Sequence, residues 1–431
     1  MMKLTSIAMA LFSAGLAAQQ APPVRLINAP DAASKQVLGN VAAVRPLPDG
    51  RLLVNDIQNR QLLMLDRSLA NISVVADSTS GGANSYGIRP GGLIAYLGDS
   101  TLFVDPAGLS MFVIDPAGKI ARVASVPRSQ DAPAFSNAQG TPSLDAKGRI
   151  VYRGGFGRFG GPAGGGRGGV FTPPEIPDSA ALVRVDLATR KLDTAAFFKI
   201  PKIKMNVTQT ERGMMMTNEI NPLPIVDEWA VLADGSIAIV RGQDYHIDFV
   251  NPDGSLTVSP KVPFDWQRLS DEDKTAIIDS TKARMEKARA AAAAMPADKA
   301  AAAAGARGAA EGMIVMSFST GDGARGGGPG GPPSAAPLAF VSINEMPDYR
   351  PAFTTGAARA DAEGNLWVRT TAVRTGSVGG GPIYDVINRK GEVIDRLQVP
   401  AGRQIVGFGK GGIVYMQARD DKAAWIERTH R

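Results

Sequence analysis

Arg153, Arg241 and Arg369 each close a short apolar run that follows a turn glycine, at Gly148, Gly235 and Gly364. A guanidinium stays charged at physiological pH and offers a rigid fork of donors that matches carboxylate, phosphate or sulfate oxygens. Gathered around one mouth, three such groups would form an anion site; left apart, each is an ordinary solvated strand end. Arg153 and Arg369 stand five residues after their glycines, whereas Arg241 stands six after its own. In extended backbone a shift of one residue turns a side chain to the opposite face, so Arg241 is the odd member.

Arg241 opens the densest polar run on any of these loops, Arg241-Gly242-Gln243-Asp244-Tyr245-His246. Asp244, Tyr245 and His246 therefore join Arg153, Arg241 and Arg369 as candidate ligand-binding residues. His246 is one of two histidines, the other being His430 next to the chain end, so a histidine pair is not expected. A lone histidine beside Ile247 on a strand is more often a structural side chain than a base. Trp229 and Trp367 alternate with apolar neighbours and read as core. There is no Gly-x-Ser-x-Gly and no His-Glu-x-x-His, the Gly-rich tracts lack the strand-to-helix context and the Lys-Ser/Thr ending of a phosphate-binding loop, and the chain has no cysteine, so no catalytic residue can be named and neither metal nor cofactor is expected. Met214-Met215-Met216 lacks the further soft ligands a metal would need and is expected to pack under a loop.

The elements that carry these residues repeat. A turn followed by an apolar strand begins at Asp49-Gly50-Arg51, Gly98-Asp99-Ser100, Asp145-Ala146-Lys147-Gly148, Asp234-Gly235-Ser236, Asp361-Ala362-Glu363-Gly364 and Gly411-Gly412. Successive turns are about 48 residues apart, except for two longer steps, from Gly148 to Gly235 and from Gly235 to Gly364. A unit of roughly 45 residues with four short strands is the period of a propeller blade, which buries its faces only against its neighbours. The fold class is thus an all-β, six-bladed β-propeller over residues 24–431. In the fourth unit the strands are read as 227–232, 237–241, 245–250 and 256–262. The last unit has only three, and Val24-Arg25-Leu26-Ile27 is expected to complete the blade containing Trp425 and close the ring, removing an exposed edge.

The longer steps hold insertions. Between blades four and five, residues 266–337 read as a helical and low-complexity insertion. Ser270-Asp271-Glu272-Asp273 caps a helix to Ala294, a second helix is possible after Pro296, and 305–337 is dominated by Gly, Pro, Ala and Ser, which suits disorder. A shorter Gly-rich loop, 154–169, interrupts the third unit. In a four-stranded meander both insertions emerge on the face that carries the connections after the second and fourth strands. Long loops clustered on one face of a rigid scaffold mark that face for binding.

Residues 1–18, with Lys3 followed by an apolar stretch and small residues, read as a secretory signal peptide, which places the mature chain in the periplasm or outside the cell. No stretch suits membrane insertion, and the net charge of +6 is spread among acidic residues without a basic tract for nucleic acid. The chain is expected to be a monomer.

The run Val54-Asn55-Asp56-Ile57-Gln58-Asn59-Arg60-Gln61-Leu62-Leu63 resembles the NHL repeat of six-bladed propellers. Glu228 to Gly235, Asp244-Tyr245, Gly364 to Arg369, Tyr384-Asp385-Val386 and Gly407-Phe408-Gly409 resemble exported bacterial six-bladed propellers of the NHL/TolB-like kind. The resemblance implies the fold and export, carries no activity, and makes Asp56 and Asn59 turn-holding residues. Two enzyme classes share the architecture. Gluconolactonase-type propellers hold a divalent metal with Glu, Asn and Asp, whereas this chain has arginines at the comparable strand ends; quinoprotein sugar dehydrogenases use a histidine with Ca²⁺, for which His246 has no accompanying calcium loop. The leading expectation is non-catalytic recognition of an anionic glycan, peptide or small molecule. The alternative is a lactonase-like, metal-dependent hydrolase or a quinoprotein-type sugar dehydrogenase, and fold alone does not choose between binding and catalysis.

Overall fold

The computed structural model describes residues 21–78, 81–82, 84–87, 91–135, 140–155, 177–210, 213–294, 317–320, 338–372, 380–420 and 423–431. The signal-peptide reading, the Gly-rich loop beyond residue 155, the helix expected after Pro296 and most of 305–337 lie outside the described residues.

Six antiparallel meanders follow one another around a ring, each with its first strand innermost. Blade one comprises Val41–Pro46, Leu52–Asp56, Gln61–Leu65 and Ile72–Asp77; blade two, Gly92–Ala95, Thr101–Asp105, Ser110–Ile114 and Ile120–Ser125. Blade three comprises Ser143–Leu144, Ile150–Arg153, Ser179–Val185 and Leu192–Lys199; blade four, Glu228–Val231, Ile237–Arg241, His246–Val250 and Leu256–Val258. Blade five begins with Phe353–Ala360, Leu366–Thr370, Ile383–Ile387 and Val393–Gln398, and blade six with Arg403–Gly409, Ile413–Arg419 and Ala424–His430. Strand alternation sends successive side chains to opposite neighbours. In blade four Ile239 packs with Val151 and Leu182 of blade three, whereas Val240 packs with Leu366 and Val368 of blade five. Repeated around the ring, this produces six apolar clusters between blades, the last joining Val406, Tyr415 and Ile426 of blade six to Leu52 and Val54 of blade one.

The glycine turns bring neighbouring blades together at one end of the disc. Gly235 adopts φ +80, and a Cβ there would stand 2.0 Å from the backbone nitrogen of Ala146 in blade three, so both conformation and close approach require glycine.

Closure departs from the sequence expectation. Val24–Leu26 does not enter the blade of Trp425; it runs parallel to Val393–Gln398 as a fifth strand of blade five. Ala32–Ala33 instead pairs antiparallel with Ala424–His430 and completes blade six. Both outer edges offered free backbone groups, and Arg25 selects the first, its Nε and a terminal nitrogen donating to Asp395 at 3.1 and 2.6 Å. The turn-holding role of Asp56 is visible: Gly39 N, Asn40 N and the Asn59 side chain all donate to it.

The insertions form a small module beside blade four. The helix α1, Asp271–Ala293, is present with Ser270 and Asp273 exchanging hydrogen bonds at its start. The chain between blades three and four also folds, as a hairpin of Lys204–Thr210 and Gly213–Ile220. Met214–Met216 therefore belongs to a strand. Ser317–Thr320 and Ala339–Phe340 extend this hairpin into a sheet, so two insertions distant in sequence build one unit. Leu223, Leu269, Val341 and Met346 form its core, with Ile277 and Ile278 of α1 packed against them.

Candidate functional site

The innermost strands and the ends of the second strands meet on the insertion-bearing face. Arg241 follows Val240, which faces blade five, so its side chain shares the opposite side with Ile239 and turns toward blade three. There it donates to Asp227 and Asp248, both at 2.7 Å, and to the Phe197 carbonyl at 3.4 Å. Burial pulls this guanidinium's pKa down, but the two carboxylates outweigh it and the net direction is upward. Arg241 is thus neutralised in place and joins neighbouring strands.

Arg153 and Arg369, one step earlier in phase, face the other way. Tyr152 packs toward blade two, so Arg153 points to the blade four side, and it lies over the ring of Phe198, on the outer strand of its own blade, at 5.9 Å from the centroid. Arg369 shares the side of Trp367 and is paired across the sheet with Tyr384. Arg369 and Arg153 both favour the charged form of a group that the sequence does not mark, Glu228.

Glu228 opens the innermost strand of blade four and is only 6% exposed. Its neighbour Trp229 faces blade three, so Glu228 faces blade five, whose innermost strand breaks register between Phe353 and Ala358. Within that irregularity Gly356 adopts φ +77 and is solvent-exposed. Bulges of this kind re-aim backbone groups, and here the N–H groups of Gly356 and Ala358 serve Glu228, the latter at 3.5 Å. Burial pushes the Glu228 carboxyl up to about 7, against the opposing pull of those N–H groups and of Arg369 and Arg153. A further arginine, Arg359, stands on the same strand of blade five, its pKa lowered chiefly by burial and raised by Tyr384 and Glu228. Arg153 is likewise lowered by burial and supported by Glu228.

The other candidates stand elsewhere. Tyr245 has no exposed surface, and its hydroxyl donates to Asp385 at 2.9 Å between blades four and five. His246 sits between two carboxylates, Nδ1 lying 2.6 Å from Asp244 and Nε2 3.3 Å from Asp248. Asp244 is also 3.4 Å from Lys261. His246, Asp244, Asp248 and Lys261 form one ion-pair network with Arg241, whereas Arg153 enters the same interface, between blades three and four, against Phe198 next to the Phe197 carbonyl that Arg241 reaches. Among the described residues, no group of three or more His, Cys, Asp or Glu is placed to hold a metal ion, and no helix is long and apolar enough to cross a membrane.

The fold is a six-bladed β-propeller. No family model matches the chain, and no curated protein matches it. Similar solved structures include virginiamycin B lyase from Staphylococcus aureus, at 11% identity and TM-score 0.36, covering 93% of this chain and 99% of that one. The calcium-binding protein regucalcin from Agrobacterium tumefaciens matches at 11% identity and TM-score 0.38, covering 95% and 98%. A candidate exported protein from Bacteroides fragilis matches at 10% identity and TM-score 0.41, covering 96% and 95%. Likenesses of this strength carry no argument about site or activity.

Proposed function

We propose that the protein is an exported, periplasmic or secreted recognition propeller that binds an anionic small molecule, glycan or peptide in the mouth of its channel. The observation that supports this is the imbalance of three guanidinium groups, Arg153, Arg359 and Arg369, around the single carboxylate of Glu228. A surplus of fixed positive charge draws anions, and partial burial strengthens each contact with them. The same surplus repels a divalent cation, which counts against the metal-dependent hydrolase. The test is isothermal titration with a panel of carboxylates, phosphates and sulfates. Arg369→Gln is expected to weaken the tightest binder about tenfold or more, the loss of one charge-assisted hydrogen bond. Arg241→Gln is expected to leave affinity unchanged and to lower stability. Equal affinity in wild type and Arg369→Gln would refute the reading.

A second reading rests on Glu228 itself. A carboxyl held at about 7 beside cationic groups is matched to proton transfer near neutral pH, so the same pocket suits metal-free hydrolysis of an acidic ester or lactone. Turnover of such substrates by wild type, abolished in Glu228→Gln, would favour it.

A further inference from the structure

Two blades around the ring from Glu228, where blade six meets blade one, the insertion-bearing face holds an open cleft of about 510 Å³ lined by Asn40, Arg403, Gln404, Gln417, Arg419 and Asp420. That volume lies within the roughly 300–1,000 Å³ of small-molecule sites. Strand pairing explains why two carboxamides meet there. Gln404 and Gln417 lie directly opposite each other on the first two strands of blade six, so their side chains leave the same face of the sheet. Their neighbours Ile405 and Met416 pack toward blade five, which turns the glutamines toward blade one. Gln417 is only 6% exposed, and its Oε1 accepts from the Val41 N–H at 2.9 Å. A backbone N–H fixes which end of the amide is oxygen, so Nε2, with two donors, is the end left toward the cleft. It has no hydrogen-bond partner among the described residues. Gln404 is exposed and Asn40 half-buried, and neither side chain hydrogen-bonds to another described residue.

The charges of the lining are balanced. Arg403 donates to Glu427 at 2.6 and 3.1 Å, and Arg419, which donates to the Gly39 carbonyl at 2.6 Å, shares the cleft with the carboxylate of Asp420. An ion of either sign therefore gains little here, and what the cleft offers is donors and acceptors on neighbouring carboxamides. A solute competes with water at such a surface only if it returns the same hydrogen bonds. Sugar hydroxyls do so, because each is at once a donor and an acceptor. A peptide group separates its single donor from its single acceptor, whereas adjacent hydroxyls each present both. We infer that this cleft is a second binding site, for a neutral saccharide, in which Gln404, Gln417 and Asn40 hydrogen-bond adjacent ring hydroxyls. The inference is independent of the anion reading, since it uses other residues, another interface and a ligand without charge.

The experiment titrates the full chain calorimetrically with maltose, cellobiose, lactose and chitobiose, and with triglycine as a neutral peptide. At least one disaccharide is expected to bind. Gln404→Ala, which removes an exposed side chain that makes no hydrogen bond to the described residues, is expected to fold and to weaken that sugar about fivefold to tenfold, the net worth of one or two hydrogen bonds. Asn40→Ala should weaken the same sugar by a similar factor, and saturating sulfate should leave its affinity unchanged. Binding of no disaccharide, or of triglycine alone, would overturn the saccharide site. So would a sugar that both variants bind as tightly as wild type, or one that sulfate displaces. None of these results bears on Arg369→Gln, which tests anion recognition separately.

Discussion

Replacing Glu228 with glutamine should remove a pH dependence from the stability of the whole disc. In the folded chain the carboxyl titrates at about 7 in place of the ordinary 4.5, because burial disfavours its charged form. A raised acid pKa means that the folded state holds the proton more tightly than the unfolded state. Stability is therefore intact below the unfolded value, falls as pH rises from about 4.5 toward 7, and stays lower above that. Raising the carboxyl from 4.5 to about 7 corresponds to about 3 kcal/mol. For a chain of this length that is roughly 4 °C in melting temperature. Glutamine keeps the shape and cannot ionise, so the variant should match wild type near pH 4.5 and exceed it by about 3 kcal/mol near pH 8. Urea unfolding at several pH values, taken as the difference between the two proteins, cancels the other titrating groups. Parallel curves for wild type and Glu228→Gln would mean that Glu228 titrates as an ordinary carboxyl and is not buried against blade five.

Tyr245→Phe should cost about 1.5–3 kcal/mol in equilibrium unfolding, since it strips the buried Asp385 of a donor at 2.9 Å and leaves that carboxylate to Arg396 alone. Gly235→Ala should cost about 3 kcal/mol or more, adding a collision 2.0 Å from Ala146 N to a left-handed backbone, whereas Gly254→Ala, at φ +90 with nothing within 4 Å, should cost only about 1–2 kcal/mol; equal melting temperatures for the two would refute the packing argument. Asp395→Ala releases both Arg25 and Arg431 but should cost only about 1 kcal/mol, because Arg25 is largely exposed. Deleting residues 21–33, by contrast, removes the outer strand from two blades and should lower thermal stability far more.

The fold was legible because each blade repeats the same local instructions. A turn glycine with φ near +80, a strand that alternates between two interfaces, and an Asx turn at the outer corner can all be read within about ten residues. The phase of the arginines was legible for the same reason: counting from Gly148, Gly235 and Gly364 separates Arg241 from Arg153 and Arg369, and the packing of Ile239 and Val240 fixes the direction. Glu228 was hidden because nothing near it in sequence marks a site. Its environment comes from a bulge at Gly356 in the next blade, and its charge partners come from blades three and five. Closure was half hidden, since Val24–Leu26 and Ala32–Ala33 are both short extended segments and local sequence does not say which edge each will cover. The hairpin from Lys204 to Ile220 escaped notice because its first strand, Lys-Met-Asn-Val-Thr-Gln-Thr, carries little apolar pattern.

The way the ring is sealed has a consequence for the order of events in folding. The bonds that finish blades five and six join Arg25 to Asp395 and Asp31 to Arg428, separations of 370 and 397 residues. Blades one to four can assemble from neighbouring segments, but the circle stays a crescent until its final strands are available. Contacts so distant along the chain carry a large loop-closure entropy and form slowly. The amino-terminal segment therefore waits, through most of assembly, for edges that do not yet exist, and the crescent's open interface is the surface on which a holding chaperone, or a second unfinished copy, would act.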